Sequence, residues 1–283
     1  MLLGQNAEFD QFARPELLSR RLVSQFEFSH RNVSTLTTMV PVLTAVTERV
    51  QMAQTPLVNW TLVTGDSGVL LIDAGYPGSR GEVLKSLDRL GFGPADVRGI
   101  LLTHAHIDHL GTAIWFAKTH GTPVYCHTSE VGHTKREYLE QVSPAALMAQ
   151  AWRPRWLMWS VEAVRMGGLV REGIPSARAL TDEIAATLPG RPTALPTPGH
   201  TGGHCSYIVD GVLIAGDALV TGHPLARERG PQLLPSVFNH NEADCVRSLA
   251  TIAEAGTEVL IPGHGDLWLG PAREAARRAL PRD

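Results

Sequence analysis

The sequence predicts an α/β fold built in layers, and three observations carry that prediction. Apolar runs of strand length at 57–64, 69–73, 99–103 and 123–126 alternate with segments of helical period at 82–90 and 112–120. A second group of strand-like runs, at 205–209, 212–215 and 257–261, follows after the Pro-rich residues 188–198. Within both groups, turn signals at Gly65-Asp66-Ser67-Gly68 and Asp210-Gly211 fold neighbouring runs into hairpins. At 283 residues, with 43% hydrophobic and 19% charged residues, the chain is ample for a full core, as one large domain or two small ones.

Taken in order, residues 1–35 are mixed, with Pro15 opening a helical pattern over 16–23. We read them as an arm that packs on the domain or on a second subunit, and residues 36–283 as the domain. The hairpin 57–73 comes next. In 82–90, Val83, Leu84, Leu87 and Leu90 share one side of a helix that Gly91 stops. Gly99-Ile100-Leu101-Leu102-Thr103 reads as a buried strand, followed by the helix 112–120 and the strand 123–126. Residues 127–190 break this rhythm. There 144–169 reads as helical and sets Trp152, Trp156 and Trp159 at i, i+4 and i+7, on one helical face. Such a stripe packs on the core or on a dimer partner, or it walls an apolar substrate pocket as a lid. The loop 221–240 follows the second hairpin, Asn241 caps a helix over 242–255, strand 257–261 comes next, and a helix rich in Ala and Arg closes the chain over 271–280.

The chemistry concentrates in His104-Ala105-His106-Ile107-Asp108-His109, directly after the strand 99–103. Desolvating three imidazoles and a carboxylate costs several kcal/mol unless something pairs with all of them. A divalent cation does so, and neutral imidazole with carboxylate is a ligand set that zinc accepts. A surface loop that happens to be rich in histidine is the bland alternative, better suited to a lone His-x-His than to this density.

On these residues the chain resembles the metallo-β-lactamase fold superfamily, whose metal-dependent hydrolases carry HxHxDH followed by three further ligands. Candidates stand in the expected order: His200 in Pro198-Gly199-His200-Thr201-Gly202-Gly203-His204, Asp217 in Ile214-Ala215-Gly216-Asp217, and His264 in Ile261-Pro262-Gly263-His264-Gly265. The resemblance covers nearly all of the chain except the N-terminal arm. It implies an αββα sandwich of two mixed β-sheets flanked by helices. It also implies an inserted helical segment at 127–190, because the separation of His109 from His200 is long for compact members. By the same resemblance His104, His106 and His200 hold one Zn²⁺, Asp108, His109 and His264 hold a second, and Asp217 bridges them, with iron or manganese as alternatives to zinc. The two ions then share the hydroxide that attacks the substrate, and Asp108 doubles as a proton donor to the leaving group. Asp73-Ala74-Gly75 resembles the family's Asp-Thr-Gly, whose Asp lies beneath the metal loop; a simple turn cap is the competing reading.

His204 reads as a second layer behind His200 or as a hairpin residue. His30, His120, His127 and His133 match no motif, while His223 and His240 lie in the loop after Asp217, where the family often places substrate contacts. The implied function is hydrolysis of a small-molecule ester, thioester, lactone or lactam. The Pro-Gly-His-Thr-x-Gly-His pattern is shared with glyoxalase II-like thioesterases, but no basic residues that clamp glutathione are identifiable. A phosphodiesterase or nuclease of the same fold, or a non-enzymatic ligand-binding sensor, is the alternative. The net charge of −3, from 25 basic and 28 acidic residues, argues against a broad nucleic-acid footprint. Three widely spaced cysteines are no disulfide framework. No signal-peptide pattern opens the chain, and its longest early apolar stretch, 36–46, is broken by Thr and Pro41. These features predict a cytoplasmic protein with a small-molecule substrate and neither a nucleic-acid nor a membrane partner, with a homodimer left open.

Overall fold

Two mixed β-sheets lie face to face at the centre of the protein. The structure, a computed structural model, describes residues 40–226 and 228–281. The arm, with its helix expected over 16–23, lies outside the described residues.

The first sheet runs in sequence order through β1 (Val42–Ala45), β2 (Val50–Gln54), β3 (Asn59–Gly65), β4 (Gly68–Ile72), β5 (Val97–Leu101), β6 (Val124–Cys126) and β7 (Arg178–Ala179). Its first four strands are antiparallel neighbours, and β4 to β7 pair in parallel. Helix α1 (Arg80–Asp88) crosses from β4 to β5, and α2 (Ile107–His120) from β5 to β6. The second sheet is made of β8 (Thr193–Pro196), β9 (Cys205–Val209), β10 (Val212–Gly216), β11 (Val259–Pro262) and β12 (Trp268–Leu269). There β10 and β11 are parallel, joined through α7 (Glu242–Ala253), and α8 (Ala272–Ala279) closes the described chain.

The period-2 alternation of the strands builds the layers. Leu70, Ile72 and Leu101 of the first sheet meet Cys205, Tyr207, Val212 and Ile214 of the second in one buried cluster. Their neighbours Val69, Leu71, Ile100 and Leu102 turn the other way, onto Val83 and Leu87 of α1 and Leu110, Ala113 and Phe116 of α2. Leu213, Ala215 and Leu260 likewise pack on α7 and α8. The fold is therefore the αββα sandwich.

Local rules account for several boundaries. Asp210 and Gly211 both take positive φ, 52° and 74°, as a tight two-residue hairpin requires. The Asn241 side chain accepts the Asp244 N–H at the start of α7. Other expectations need correction. Helix α2 starts at Ile107, not Thr112, so Asp108 and His109 lie in its first turn. The segment 127–190 is helical only in part: β7 adds a parallel strand to the first sheet beyond α3 (Val131–Lys135), α4 (Pro144–Met148) and α5 (Pro154–Arg165), and α6 (Asp182–Thr187) follows it. The single helix expected over 144–169 is broken before Pro154, which lacks an amide donor and holds Arg153 extended, at φ −89° and ψ 118°. Trp152 consequently falls outside α5, 76% exposed, and does not share a helical face with Trp156 and Trp159.

Candidate metal centre

All seven residues implied as ligands meet at one edge of the sandwich. Asp73 and His104 follow the parallel strands β4 and β5, Asp217 and His264 follow the parallel strands β10 and β11, and His200 lies between β8 and β9. The sheets are tied together there: Cys205 N donates to Thr103 O (2.9 Å), and Asn59 Nδ2 donates to Pro262 O (3.0 Å) and Gly265 O (2.8 Å).

His104, His106, His109, His200, Asp217 and His264 are buried, and the Asp108 side chain is 17% exposed. Donor atoms of His104, His106 and His200 cluster within 4.8 Å, as do those of Asp108, His109 and His264; a third cluster, His104, His109 and Asp217, straddles the other two. Asp217 Oδ2 lies 3.2 Å from His264 Nε2, 3.4 Å from His200 Nε2 and 4.0 Å from His104 Nε2, while its Oδ1 lies 3.5 Å from His109 Nε2. His264 Nε2 is also 3.5 Å from Asp108 Oδ2.

The outer nitrogen of each imidazole is fixed. His109 Nδ1 donates to Asp73 Oδ2 (2.9 Å), His200 Nδ1 to Asn239 Oδ1 (3.0 Å), His264 Nδ1 to Leu57 O (2.6 Å) and His106 Nε2 to Glu140 O (2.5 Å). Thr103 Oγ1 donates to Asp73 Oδ2 and so accepts from His104 Nδ1 (3.0 Å). Five rings thus turn their other nitrogens inward, where His106 Nδ1 and His200 Nε2 come within 2.8 Å of each other, the orientation that second-layer acceptors impose on metal-binding histidines. His104 Nε2, His109 Nε2 and Asp217 Oδ1 are buried without a hydrogen-bond partner. Orphaned buried atoms of this kind are rare, and a cation answers all three. A β-carbon at Gly263 would lie against Asp217 Oδ1 and His109 Cε1, so only glycine leaves this space open.

The electrostatics divide the site. Burial, reinforced by neighbouring imidazoles, pushes His104 and His106 well below the ordinary histidine range, and burial lowers His200. Burial acts the same way on His109 and His264, but neighbouring carboxylates together overcome it and raise both: Asp217, Asp73 and Asp108 at His109, and Asp217 and Asp108 at His264. Burial of Asp217 would raise its carboxyl; His264 and His109 overcome that and hold it well below the usual carboxylate range. A cation entering here meets neutral ligands on one side and displaces protons on the other.

Behind these residues lies a second layer. Asp73, at φ 60°, accepts from Thr103 N, Thr103 Oγ1 and His109 Nδ1, so it orients the metal loop instead of capping a turn. His204 is buried; its Nε2 accepts the Asp217 N–H (3.1 Å), which fixes the backbone under that carboxylate. Glu130, fully buried, accepts from Ala105 N, His133 Nδ1 and Thr201 Oγ1, at 2.8, 2.8 and 2.9 Å. It thereby ties the 104–109 loop to the His200 loop. Arg136 supports the same turn through Ala105 O (2.8 Å). Neither Glu130 nor Arg136 was singled out from the sequence, and His133 matched no motif, because all three sit in a polar stretch that reads as solvated. Their one sequence signal is the density of titratable groups in His127-Thr128-Ser129-Glu130-Val131-Gly132-His133.

A cleft opens over the centre, floored by Asp108, His200, Asp217 and His264. Leu147, Trp159, Val164 and Leu169 of the 127–190 segment wall one side; His223, Leu234 and Phe238 wall another. Trp156 stacks on Phe238 at 5.8 Å, and Trp159 meets Phe238 at 5.5 Å and His223 at 5.7 Å. His240 lies outside this lining, 3.9 Å from Glu140. Burial pushes the thiols of Cys126, Cys205 and Cys245 up to about 12, which leaves them unreactive.

Comparison with known proteins agrees with this geometry. The family model described as "Metallo-beta-lactamase superfamily" matches residues 55–264. The probable metallo-hydrolase YflN of Bacillus subtilis is 28% identical over 212 residues, 69% of this chain and 75% of that protein. A crystal structure of a metallo-β-lactamase family protein from Thermus thermophilus superposes with a TM-score of 0.59 at 28% identity, covering 83% of this chain and 79% of that one. A subclass B3 metallo-β-lactamase from a soil metagenome library shares the fold at 21% identity, with a TM-score of 0.57 over 86% of this chain and 94% of that one.

Proposed function

The chain belongs to the metallo-β-lactamase superfamily and is a metal-dependent hydrolase; from that premise we propose that it uses two metal ions to cleave the acyl bond of a small ester, thioester, lactone or lactam. The convergence of five oriented imidazole nitrogens on two carboxylates carries this reading. His104, His106 and His200 would hold one ion, Asp108, His109 and His264 the other, and Asp217, whose two oxygens face both groups, would serve both. When bound, the ions supply a shared water acidic enough to ionise near neutral pH, against a pKa of about 15.7 for free water, and an electrophile for the oxygen on which charge builds.

The chain's own residues do the rest. Asp108, at the cleft floor and open to it, is placed to hold a proton for the leaving group. Leu147, Trp159, Val164, Leu169 and Phe238 give the substrate's apolar part a dry surface. Among the described residues lining the cleft, Arg171 is the one arginine and there is no lysine. That supports a small acyl substrate over a nucleic acid, whose backbone calls for several cations. Zinc suits the His/Asp donor set, with iron and manganese as competitors. Three free, buried cysteines fit a cytoplasmic setting, and among the described residues no helix is long and apolar enough to cross a membrane.

Elemental analysis of protein purified without added metal is expected to find close to two transition-metal ions per chain. The loaded protein should turn over at least one of a lactone, thioester, ester or β-lactam panel. A metal content near zero that cannot be restored, or turnover of bis-phosphoesters alone, refutes the proposal.

The tryptophans separate by role. Trp159→Ala should raise KM for the substrate with only a modest fall in melting temperature, because its ring faces the cleft and the Phe238 cluster. Trp152→Ala should leave stability within about 0.5 kcal/mol and kinetics unchanged, as expected of an exposed side chain. An early melt with unchanged KM for Trp159→Ala would make that residue a packing element only.

A further inference from the structure

We propose that His223 is a further catalytic residue, which donates a hydrogen bond from Nε2 to the substrate oxygen that becomes negatively charged during acyl cleavage. The inference rests on the acyl-hydrolase reading above. It begins with tautomers. Each of the five imidazoles of the centre donates from its outer nitrogen and turns its other nitrogen inward, where a cation can take it. His223 is wired the opposite way: its Nδ1 accepts the Leu225 N–H at 3.1 Å, so the neutral ring carries its proton on Nε2. A ring in that state cannot serve as a sixth ligand through Nε2. It is a donor, and Nε2 has no acceptor within the protein among the described residues.

Placement makes the donor useful. His223 lines the cleft beside Asp217 and His264, and its ring stands edge-on to His264, with centroids 4.9 Å apart and planes at 85°. Trp159 and Phe238 flank it at 5.7 and 5.6 Å, apolar surfaces that keep water from competing for the donor. The loop is also held. Arg155 Nη2 donates to Pro224 O (2.7 Å) and Ala226 O (2.9 Å), Ala226 N donates to His223 O (2.9 Å), and Thr221 N donates to His264 O (3.1 Å). A donor fixed before the reaction, in a site that excludes water, stabilises developing charge without reorganising.

Two variants separate this role from packing. His223→Phe keeps the ring against Trp159 and Phe238 but removes the donor; His223→Gln keeps a donor near the Nε2 position. With the zinc-loaded protein and its best acyl substrate, His223→Phe should lose roughly 10²–10³-fold in kcat, with KM nearly unchanged. His223→Gln should recover at least a tenfold part of that loss, and both should retain wild-type zinc content and melting temperature. A second readout does not need turnover: calorimetric binding of methylphosphonate, an anionic tetrahedral probe, should weaken at least tenfold in His223→Phe and recover in His223→Gln. If the wild type cleaves no acyl substrate yet binds the probe in this His223-dependent way, the donor stands and the substrate class falls. Wild-type kinetics in His223→Phe, loss of zinc in that variant, equal probe binding by all three proteins, or no binding by the wild type overturns the donor.

Discussion

Asp217→Ala should lose activity by several orders of magnitude and fail to retain its full metal complement, while the folded state survives. The carboxylate faces both candidate ligand groups, so on the two-metal proposal its removal would take a donor from each and leave two cations facing one another without shielding. The backbone at 217 does not depend on the side chain. His204 Nε2 accepts the Asp217 N–H, and Gly263 N donates to Gly216 O at 2.8 Å, so alanine is held in the same place. The metal-free protein has a compensating gain. The foremost of the carboxylates that raise His109 and His264 is gone, although Asp73 and Asp108 still act on His109 and Asp108 on His264, so less charge is held in these buried positions. Thermal melts with and without chelator, beside elemental analysis, read the outcome. A fully metallated and active Asp217→Ala protein would show that the centre is wrongly placed.

Asp217 is legible in the sequence through its place in the family's ligand order; for the rest, what can be read follows from the range of the forces involved. Local signals were legible. The apolar strand before the metal loop, the turn at Asp210-Gly211 and the Asn241 cap each depend on a few adjacent residues, and the structure shows each of them, with the strand, β5, ending at Leu101 instead of the expected Thr103. The start of α2 was missed because Asp108 and His109 were read as loop, although an acid in a first helical turn is favoured by the helix dipole. The break in 144–169 has a local cause, because Pro154 forbids a continuous helix, whereas the regular spacing of the tryptophans suggests one. The edge strand β7, two residues long, has no pattern to read. The second layer was hidden for a different reason. Glu130 and His133 look solvated in sequence, and only the packing of α3 beneath the metal loop buries them.

That hidden layer carries the other large expected effect, at Glu130. Glu130→Ala leaves the Ala105 N–H, the His133 Nδ1–H and the Thr201 hydroxyl without their acceptor in a buried place. Each such group costs about 1–3 kcal/mol when left unpaired, so a large fall in melting temperature is expected even in the metal-free protein. The effect should also reach the metals. Ala105 lies between His104 and His106, and Thr201 adjoins His200, so one carboxylate holds the two loops that supply the first ligand group. Outer-layer losses of this kind typically weaken metal binding about 10–100-fold. Glu130→Gln tests the assignment. Its amide oxygen can still accept from Ala105 and His133, and its NH₂ can donate to Thr201 once that hydroxyl turns, so most stability and metal affinity should return. Chelator competition on both variants, with melts of their metal-free forms, separates stability from affinity. A Glu130→Ala protein that melts and binds zinc as the wild type does would remove Glu130 from the machinery of the site.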